Sequence, residues 1–303
     1  MQRINFQTSE LDTSKRIDIF LSEQNPAFSR SQISSFISRG LVSINRIPTK
    51  ASYRIKGGEL IELLIPPLPP STLIAEDIPL NVIYEDSDVI VIDKPAGMVV
   101  HPAAGHWSGT LANALLSHLP NIDGVGEEGR PGIVHRLDKE TSGLMMVAKN
   151  TYSHRKLSQQ IKDREITKVY TCLVSGRPKS YEGTISGSIA RDTRNRKRMA
   201  IVEFGRISET SYKVIQTYNE CSLIEAYPRT GRTHQIRVHF SSIGHPIIGD
   251  RLYGGTNKSL DRQFLHSTRL GFWLPSNHQY VEFESTLADD LRIYLDELAL
   301  ESL

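Results

Sequence analysis

Residues 132–148 are the stretch of sequence on which the fold and the chemistry of this chain most depend: Gly132-Ile-Val-His-Arg-Leu-Asp-Lys-Glu-Thr-Ser-Gly-Leu-Met-Met-Val-Ala148. The second part, from Gly143, is an apolar run with the length of a buried strand. The first part places Asp138 two residues after Arg136 and just before a turn-forming Thr-Ser-Gly. If residues 133–138 are extended, Arg136 and Asp138 project from one face, because side chains alternate along a strand. The other interpretation of such an aspartate is a turn residue that bonds its own backbone.

The composition is that of a globular protein with about two domains. The chain has 303 residues, and 36 Lys and Arg against 34 Asp and Glu leave a net charge of only +2. Any role with nucleic acid must therefore come from local clusters of cations. No signal segment is recognisable and no run approaches the roughly 20 apolar residues of a membrane span, so we expect a cytoplasmic location, no membrane association and a monomer. Cys172 and Cys221 are expected to be buried free thiols.

Residues 1–65 are predicted to form a small separate module. Two helical patterns, the first with Ile17, Phe20 and Leu21 on one face, precede two strand-like runs. A proline-rich stretch, Pro66-Pro-Leu-Pro-Pro-Ser71, then predicts a stiff linker over residues 66–75.

The first segment carries three short signatures: Ser-Arg-Ser at 29–31, Gly-Leu-Val at 40–42 and Gly-Gly-Glu at 57–59. This pattern resembles the S4-like RNA-binding module shared by a ribosomal small-subunit protein and many RNA-modifying enzymes. The resemblance implies that cations of the module, among them Arg30 and Arg39, contact RNA. The alternative is that these cations form a solvated face.

Residues 76–303 predict a larger domain of the α+β class with a mostly antiparallel sheet. Strand-like runs outnumber helical ones and come in adjacent pairs rather than in strict alternation. The predicted strands are 82–84, 89–93, 143–148, 169–174, 211–215 and 222–226. The predicted helices are 110–119, 153–162, 233–243 and, on the surface, 287–303.

Three motifs of the larger domain point to one chemistry: the Asp138 segment, Lys168-Val-Tyr170 and Pro228-Arg-Thr-Gly-Arg-Thr-His-Gln-Ile-Arg-Val-His239. Together with Asp93-Lys-Pro95 and Gly249-Asp-Arg-Leu-Tyr-Gly-Gly255, they resemble the pseudouridine synthases of the ribosomal large-subunit (RluA) type. The resemblance covers nearly the whole chain, including the module and the linker. It implies a pseudouridine synthase catalytic domain that needs no cofactor. It also implies an RNA substrate, 23S ribosomal RNA or the assembling large ribosomal subunit, with the target in a hairpin loop of the helix 69 region.

The resemblance implies that Asp138 is the catalytic carboxylate, Tyr170 the aromatic residue beside the target base, and Arg232 the cation paired with Asp138. Pseudouridine forms when the bond from N1 of uracil to the sugar breaks and the base is rejoined through C5, with no redox change and no water consumed. An ionised carboxylate can act as a nucleophile or a proton acceptor. A guanidinium favours that charge and orients it. Whether Asp138 attacks the sugar, attacks the base or removes a sugar proton is left open by the resemblance.

The target uridine must leave its stack, because its reacting atoms are inaccessible in stacked RNA. Arg136 is the candidate for filling the vacated space, with a phosphate contact or a structural ion pair as alternatives. A dense run, residues 191–198, has five cations and one acid and is interpreted as an RNA-gripping loop or hairpin. Its candidate contacts are Arg191, Arg194, Arg196, Lys197 and Arg198. A solvated charge run is the other interpretation.

Functions of two other classes fit parts of the sequence. In a noncatalytic RNA-binding or ribosome-assembly protein, Asp138 would be a turn residue. In a glycoside hydrolase, Asp138 and Glu140 would be the carboxylate pair, about 5 to 9 Å apart. The joint presence of Asp138, Tyr170 and Arg232 favours the synthase, for which tRNA or another ribosomal site is the alternative substrate. The histidines lack partners at ligand spacing, so we expect no metal site.

Overall fold

The structure is a computed structural model that describes residues 2–25, 28, 30–65, 73–102, 106–255 and 259–300. The chain divides into two compact units, Met1–Thr72 and Leu73–Leu303. Most of the linker predicted over residues 66–75 lies outside the described residues, which resume at Leu73.

The first unit combines two helices with a four-stranded antiparallel sheet. Its elements are β1 (Gln2–Gln7), α1 (Ile17–Gln24), α2 (Arg30–Ser38), β2 (Val42–Ile44), β3 (Ile47–Pro48) and β4 (Leu60–Ile65). The strands lie in the order β1-β4-β2-β3. The apolar face predicted for α1 is confirmed, since Ile17, Phe20 and Leu21 are buried in one cluster with Leu63 of β4. Each such side chain contributes roughly 1.5–3 kcal/mol by leaving water.

The second unit is built around one ten-stranded sheet. The strands of this unit are β5 (Val82–Glu85), β6 (Val89–Lys94), β7 (Gly126–Glu127), β8 (Arg130–Pro131), β9 (Ser142–Ala148), β10 (Thr167–Ser175), β11 (Glu182–Arg191), β12 (Met199–Ile201), β13 (Arg206–Thr217), β14 (Cys221–Pro228), β15 (Leu265–Trp273) and β16 (Tyr280–Glu284). Its helices are α3 (Leu111–His118), α4 (Thr151–Asp163), α5 (Gln235–Ser242) and α6 (Asp289–Leu300). The short strands β7 and β8 form a separate hairpin.

The large sheet has the order β12-β11-β13-β14-β10-β15-β9-β6-β5, and β16 pairs with the later part of β15. Its pairs are antiparallel except that β9 and β15 run parallel, so the predicted α+β class with a mostly antiparallel sheet is confirmed. In the parallel pair, Ser142 lies beside His266 and Gly143 beside Ser267. This pairing determines where the segment that precedes β9 enters the sheet.

Strand β9 is buried on both faces. Met145 and Val147 pack in the main core of the unit, and Leu144 and Met146 pack in a second cluster on the opposite face. Because neither face meets water, the strand is a continuous apolar run rather than an alternating one.

The segment before β9 is not the extended strand that we considered. Only Ile133 forms a bridge, to Val147, and residues 134–141 form a loop. We refer to residues 134–141 as the Asp138 loop. Arg136 is exposed and Asp138 is half-buried. The loop has no neighbouring strand along its length to impose alternation, so the shared strand face expected for these two residues is wrong.

Cys172 and Cys221 are buried and free, as expected. None of the described helices is both long enough and apolar enough to cross a membrane.

Candidate active site

Lys94, the last residue of β6, fastens the Asp138 loop to the sheet. Its fully buried ammonium group donates hydrogen bonds to the carbonyl oxygens of Pro95 at 2.7 Å, Met98 at 3.0 Å and Lys139 at 3.1 Å. Burial lowers the pKa of Lys94 to about 7, against the attraction of nearby carboxylates such as that of Glu140. The three hydrogens of the ammonium group match the three carbonyl acceptors, so its charged form ties the turn after β6 to the Asp138 loop.

Arg262 and Gln263 hold the end of the same loop. Arg262 donates from Nη1 to the carbonyl oxygen of Glu140 at 3.0 Å, and Gln263 donates to the hydroxyl of Thr141 at 3.2 Å. Arg262 is itself oriented by two hydrogen bonds, of 2.6 and 2.8 Å, to the carboxylate of Asp290 in α6. These hydrogen bonds hold the loop on the C-terminal side of Asp138. They therefore restrict the position of the Asp138 side chain, as a preorganised site requires.

Asp138 is paired with Arg237, a residue inside α5. Nη1 of Arg237 donates to Oδ2 of Asp138 at 3.0 Å, while Nε and Nη2 donate to the two oxygens of Asp250 at 2.7 and 2.9 Å. Burial opposes the charge of Arg237, but the hydrogen bonds and charges of Asp250 and Asp138 together outweigh it, and the pKa of the guanidinium is raised. Asp250 thus fixes a permanent cation, which offers its remaining nitrogen to Asp138.

The carboxylate of Asp138 is accessible on one side. Its side chain is 18% exposed, against 1% for that of Asp250. Oδ1 of Asp138 accepts no hydrogen bond from any described residue. One oxygen is therefore held by Arg237 and the other is available to a reactant.

Arg232 does not pair with Asp138, so that prediction is wrong. Nε of Arg232 donates to the carbonyl oxygen of Ile207 at 3.2 Å. Arg232 lies in the turn before α5, where Gln235 accepts its backbone N–H at 3.0 Å. Arg232 precedes the start of α5 at His234, which has a left-handed φ of 55°, whereas Arg237 lies inside the helix and reaches Asp138. A catalytic role for Arg232 stays a prediction.

Tyr170 of β10 lies close to Asp138. A β-bulge between Val169 and Tyr170 shifts the register with β15, a distortion that re-aims side chains beside many active sites. Burial raises the pKa of Tyr170 to about 12, the side chain of Ser267 opposes that rise, and the charge of Asp138 adds to it. The phenol therefore stays protonated and presents a neutral aromatic ring.

His234 and Tyr253 form the other border of the site. Nε2 of His234 is 3.9 Å from Oδ2 of Asp138, and its Nδ1 is 2.9 Å from the hydroxyl of Tyr253. Burial lowers the pKa of His234, despite the opposing charge of Asp138. Burial thus favours the neutral form of the His234 imidazole.

Arg136 is exposed on the Asp138 loop. No hydrogen bond or ion pair joins it to another described residue, which leaves its guanidinium available to a ligand. The structural ion pair that the sequence allowed for Arg136 is thus absent from the described part of the chain.

Residues Arg191–Arg198 connect β11 to β12, and we refer to them as the basic hairpin. Its turn is closed by Asp192, whose Oδ1 accepts the backbone N–H groups of Arg194 at 2.8 Å and Asn195 at 3.2 Å. Four of its cations are exposed and Arg198 is half-buried. The exposed cations are Arg191, Arg194, Arg196 and Lys197.

The candidate cations of the first unit differ in their surroundings. Nε of Arg30 donates to the buried carboxylate of Asp18 at 2.8 Å, next to the two hydrogen bonds from Arg16. Burial alone would raise the pKa of Asp18, but these hydrogen bonds lower it. The half-exposed Arg30 therefore has a structural ion pair. Arg39, in contrast, is exposed just beyond α2.

Comparison with known proteins identifies the family. Residues 88–242 match the RNA pseudouridylate synthase family, and residues 15–61 match the S4 domain. The chain belongs to the RNA pseudouridine synthases. The synthase is thus an enzyme of the RluA type with an S4 domain ahead of its catalytic domain, as its motifs predicted.

Two curated relatives resemble the synthase over most of its length. It is 41% identical to the uncharacterized RNA pseudouridine synthase YlyB of Bacillus subtilis, over 98% of this chain and 99% of the relative. It is also 41% identical to the ribosomal large subunit pseudouridine synthase D of Neisseria meningitidis, over 95% of this chain and 79% of the relative. Among solved structures, human RNA pseudouridylate synthase domain containing 1 is 27% identical with a TM-score of 0.56, over 73% of this chain and 95% of that one.

Sequence reasoning missed Arg237, Asp250 and Lys94 as residues of the site. A usable signal was present for Arg237, which lies between the apolar residues Ile236 and Val238 of a predicted helix. An arginine in such a position is rarely buried without a carboxylate partner. No comparable local signal identified which carboxylate that would be.

Among the described residues, no group of three or more His, Cys, Asp or Glu side chains could hold a metal ion. The expected absences of a metal and of a cofactor stay predictions.

Proposed function

We propose that this synthase converts uridines to pseudouridine in 23S ribosomal RNA, in a hairpin loop of the helix 69 region, with Asp138 as its catalytic carboxylate. The observation that carries the proposal is the geometry of Asp138, whose Oδ2 is held at 3.0 Å by a guanidinium that Asp250 orients. A carboxylate with one free oxygen, on a loop fixed by buried side chains, is suited to a reaction at a single carbon or proton.

The reaction balances without any added reagent. The bond between N1 of uracil and C1′ of the ribose breaks, the base turns, and C5 bonds to C1′; a proton leaves C5 and N1 gains one. Asp138 can attack the sugar, attack the base or remove a sugar proton, and in each of these roles Nη1 of Arg237 orients its carboxylate. The positive guanidinium also stabilises a negative charge that the base acquires when the bond to the sugar breaks.

Tyr170 is proposed to contact the flipped base, and Arg136 to fill the space that the base leaves or to bind a neighbouring phosphate. Tyr170 is only 8% exposed, so the uracil would contact the uncovered part of its neutral ring, and stacking of bases on aromatic side chains does not depend on sequence. Arg136 is exposed on the same loop as Asp138. Its guanidinium can occupy the space from which the uridine departs, or bind a neighbouring phosphate.

The substrate is proposed from the relatives and from the distribution of cations. One relative at 41% identity is named a ribosomal large subunit pseudouridine synthase. An S4 domain and a basic hairpin supply cations that suit a large folded RNA, either free or within the assembling large ribosomal subunit. Such a substrate also implies a cytoplasmic location.

The test is to incubate the native protein and an Asp138→Asn variant with unmodified large-subunit RNA, and to map pseudouridine by chemical labelling and primer extension. We expect specific stops with the native protein and a rate lower by more than about 100-fold with the variant, since the amide can neither attack nor accept a proton. Glu140→Gln is the matched control, because the Glu140 side chain is 41% exposed, pairs with the neighbouring Lys139 at 3.9 Å and makes no hydrogen bond to Arg237 or Asp138. The control should keep its activity, whereas a reaction that used Asp138 and Glu140 as a pair would lose it.

Other results assign a different function. Stops only on transfer RNA would keep the chemistry and change the substrate. No pseudouridine from the native protein on either RNA, with both proteins shown to be folded by thermal melting, would favour a noncatalytic RNA-binding or ribosome-assembly protein.

A further inference from the structure

Tyr253 lies between the Asp138–Arg237 pair and the basic hairpin and contacts both. The Cζ atoms of Arg237 and Arg198 lie 5.0 and 5.1 Å from the centroid of its ring. Arg237 is the ion-pair partner of Asp138, and Arg198 is the last residue of the basic hairpin. Two cations from different parts of the fold therefore share the π system of one buried aromatic ring.

The hydroxyl group of Tyr253 makes a second connection. It accepts the backbone N–H of Met199, the first residue of β12, at 2.8 Å, and lies 2.9 Å from Nδ1 of His234. Since the oxygen already accepts from Met199, its own hydrogen can be donated to Nδ1, which leaves the imidazole hydrogen on Nε2. That nitrogen is the one that faces Oδ2 of Asp138, at 3.9 Å.

Arg198 lacks the partner that a buried guanidinium nitrogen normally has. Its Nε is buried without any hydrogen bond, and Arg198 forms no ion pair within the described ranges of the chain. Buried polar atoms are nearly always satisfied, so this unpaired donor on a cation suits an anionic ligand. The exposed cations Arg191, Arg194, Arg196 and Lys197 belong to the same hairpin. The phosphate backbone of RNA is an anion that could engage these cations together.

We infer that Tyr253 is a positioning residue that couples RNA docking on the basic hairpin to the geometry of the Asp138–Arg237 pair. The inference rests on the proposed function, because it takes Asp138 as the catalytic carboxylate. A phosphate bound by Arg198 offsets one of the two like charges around the ring and holds the start of β12 in place. Both changes act on Tyr253 directly, through its ring and through its hydroxyl. Tyr253 passes them to Arg237 and His234, the two residues that face Oδ2 of Asp138.

The coupling differs from a purely structural role in what it does to kinetics. A tyrosine that only fills space can couple to Arg198 in stability, because the two side chains are in contact, but it would leave the effect of Arg198 on kcat of the folded enzyme unchanged. A coupling residue makes the effect of Arg198 on the chemical step depend on its own ring, which a double-mutant cycle measures.

The first test is such a cycle on kcat, with Arg198→Met, Tyr253→Leu and the double variant acting on the RNA substrate. We expect Arg198→Met to lower kcat by about 5- to 10-fold in the native background, in line with a partly buried cation–π contact. In the Tyr253→Leu background the same change should lower kcat by less than about 2-fold. The matched cycle uses Arg196→Met, which removes an exposed cation of the same hairpin that does not contact Tyr253, and it should be additive. An additive Arg198 cycle would overturn the inference.

The second test does not need turnover. The ring nitrogens of His234 are observed by NMR in protein labelled at histidine while a short oligouridine RNA is added. We expect an Nε2–H tautomer in the native protein, a response of both nitrogens to the RNA, and loss of that response in Arg198→Met. Tyr253→Phe, which keeps the ring and so spares the core, should mix the two tautomers. Nitrogens that do not respond to bound RNA would overturn the coupling.

The two tests separate the inference from the proposed function. A native protein that is inactive on large-subunit RNA, but whose His234 responds to RNA through Arg198, would remove the proposed substrate and keep the coupling. A native protein that is active on large-subunit RNA, with an additive cycle and an unresponsive His234, would keep the proposed function and remove the coupling.

Discussion

At the scale of single residues, the candidate site depends on which arginine reaches Asp138. The motif that precedes and enters α5 contains several arginines, and their spacing in sequence does not rank them. In the structure Arg237 bonds Asp138 and Asp250, whereas Arg232 bonds a backbone carbonyl oxygen. We therefore expect the same substitution to affect kcat at Arg237 and KM at Arg232.

We expect Arg237→Met to lower kcat by about 100-fold or more, because the carboxylate of Asp138 loses its orienting donor and the developing charge loses its nearest cation. The variant also leaves the buried carboxylate of Asp250 without its cation, with only the backbone N–H of Tyr253 as donor at 3.3 Å, at a cost of about 3–5 kcal/mol of unfolding free energy. Arg232→Met, with the same loss of charge, should mainly raise KM by less than about 10-fold, as a lost phosphate contact does. Kinetics on RNA at a temperature at which both variants are folded decide between the two. Equal losses of kcat would show that the pairing with Arg237 is not what the reaction uses.

His239 shows how a buried histidine of the same motif serves the fold. It is fully buried, with its two ring nitrogens 2.8 Å from the hydroxyl of Ser208 and 2.9 Å from that of Thr210. Burial lowers the pKa of His239 from 6.5 to about 4. Between pH 6.5 and about 4, His239 binds a proton in the unfolded chain but not in the folded protein. The stabilisation from neutral His239 is therefore fully present above the unfolded-state pKa, and it is lost as the pH falls towards the folded-state pKa.

The expected size of that loss is about 3 kcal/mol of unfolding free energy across the interval. His239→Gln can satisfy both hydroxyl groups without titrating, so its stability should fall less steeply with acidification than that of the native protein. Denaturant unfolding at a series of pH values measures the difference between the two slopes. Parallel slopes would mean that His239 is already protonated in the fold.

At the scale of elements, the parallel pairing of β9 with β15 places the Asp138 loop. Gly143 has a φ of 107°, and a Cβ atom on it would lie 2.4 Å from the carbonyl oxygen of Ser267 and 2.5 Å from its nitrogen. Only glycine allows the two backbones to approach this closely. The Thr-Ser-Gly that ends the sequence motif is therefore needed for strand pairing as well as for the turn.

Gly143→Ala should destabilise the protein by about 3 kcal/mol or more, because both the clash with rigid backbone and the left-handed φ oppose an added methyl group. Gly244→Ala is the matched control, since Gly244 has a φ of 82° and open space around it. It should cost only about 1 kcal/mol. Denaturant unfolding gives both values, and the activity of Gly143→Ala at low temperature reports whether the Asp138 loop has shifted. Equal costs would mean that β9 moves away from β15 without penalty.

The elements that the sequence predicted differ from those it missed in their local pattern. β6, β9 and β10 are apolar runs that any strand rule selects, and α5 has apolar residues at helical spacing. β11 is rich in Gly and Ser, as its sequence Glu-Gly-Thr-Ile-Ser-Gly-Ser-Ile-Ala-Arg shows. It is a strand because β12 and β13 pair with it on both sides. Such a strand depends on its neighbours more than on its own composition.

At the scale of the whole molecule, the chain has two units with separate hydrophobic cores. The first unit buries its own cluster around Ile17 and Leu63, and the second has its clusters around the central strands. Domains with separate cores can in general fold alone. The proposed catalytic residues all lie in the second unit, whereas cations are present in both.

Removal of residues 1–72 should therefore leave a folded catalytic unit. We expect its kcat on a saturating RNA substrate to be close to that of the full chain, and its KM to rise by about 10-fold or more, because phosphate contacts of the S4 domain are lost. The dependence of KM on salt concentration should also become weaker, in proportion to the contacts removed. Steady-state kinetics of the full chain and the fragment at several salt concentrations test this. A fall in kcat with an unchanged KM would instead give the S4 domain a part in the chemistry.

The sequence by itself determined the fold class and the family, and its motifs singled out Asp138 and Tyr170. These features are local, because apolar periodicity and short motifs are written in neighbouring residues. The tertiary structure alone decided that Arg237 pairs with Asp138, that Asp250 orients Arg237, and that Lys94 secures the Asp138 loop. Asp138 and Arg237 are 99 positions apart, and charge, size and spacing along the chain do not distinguish one arginine from another at that separation. Only the packing of α5 against the loop made one of them a neighbour of the carboxylate and left the other at the surface.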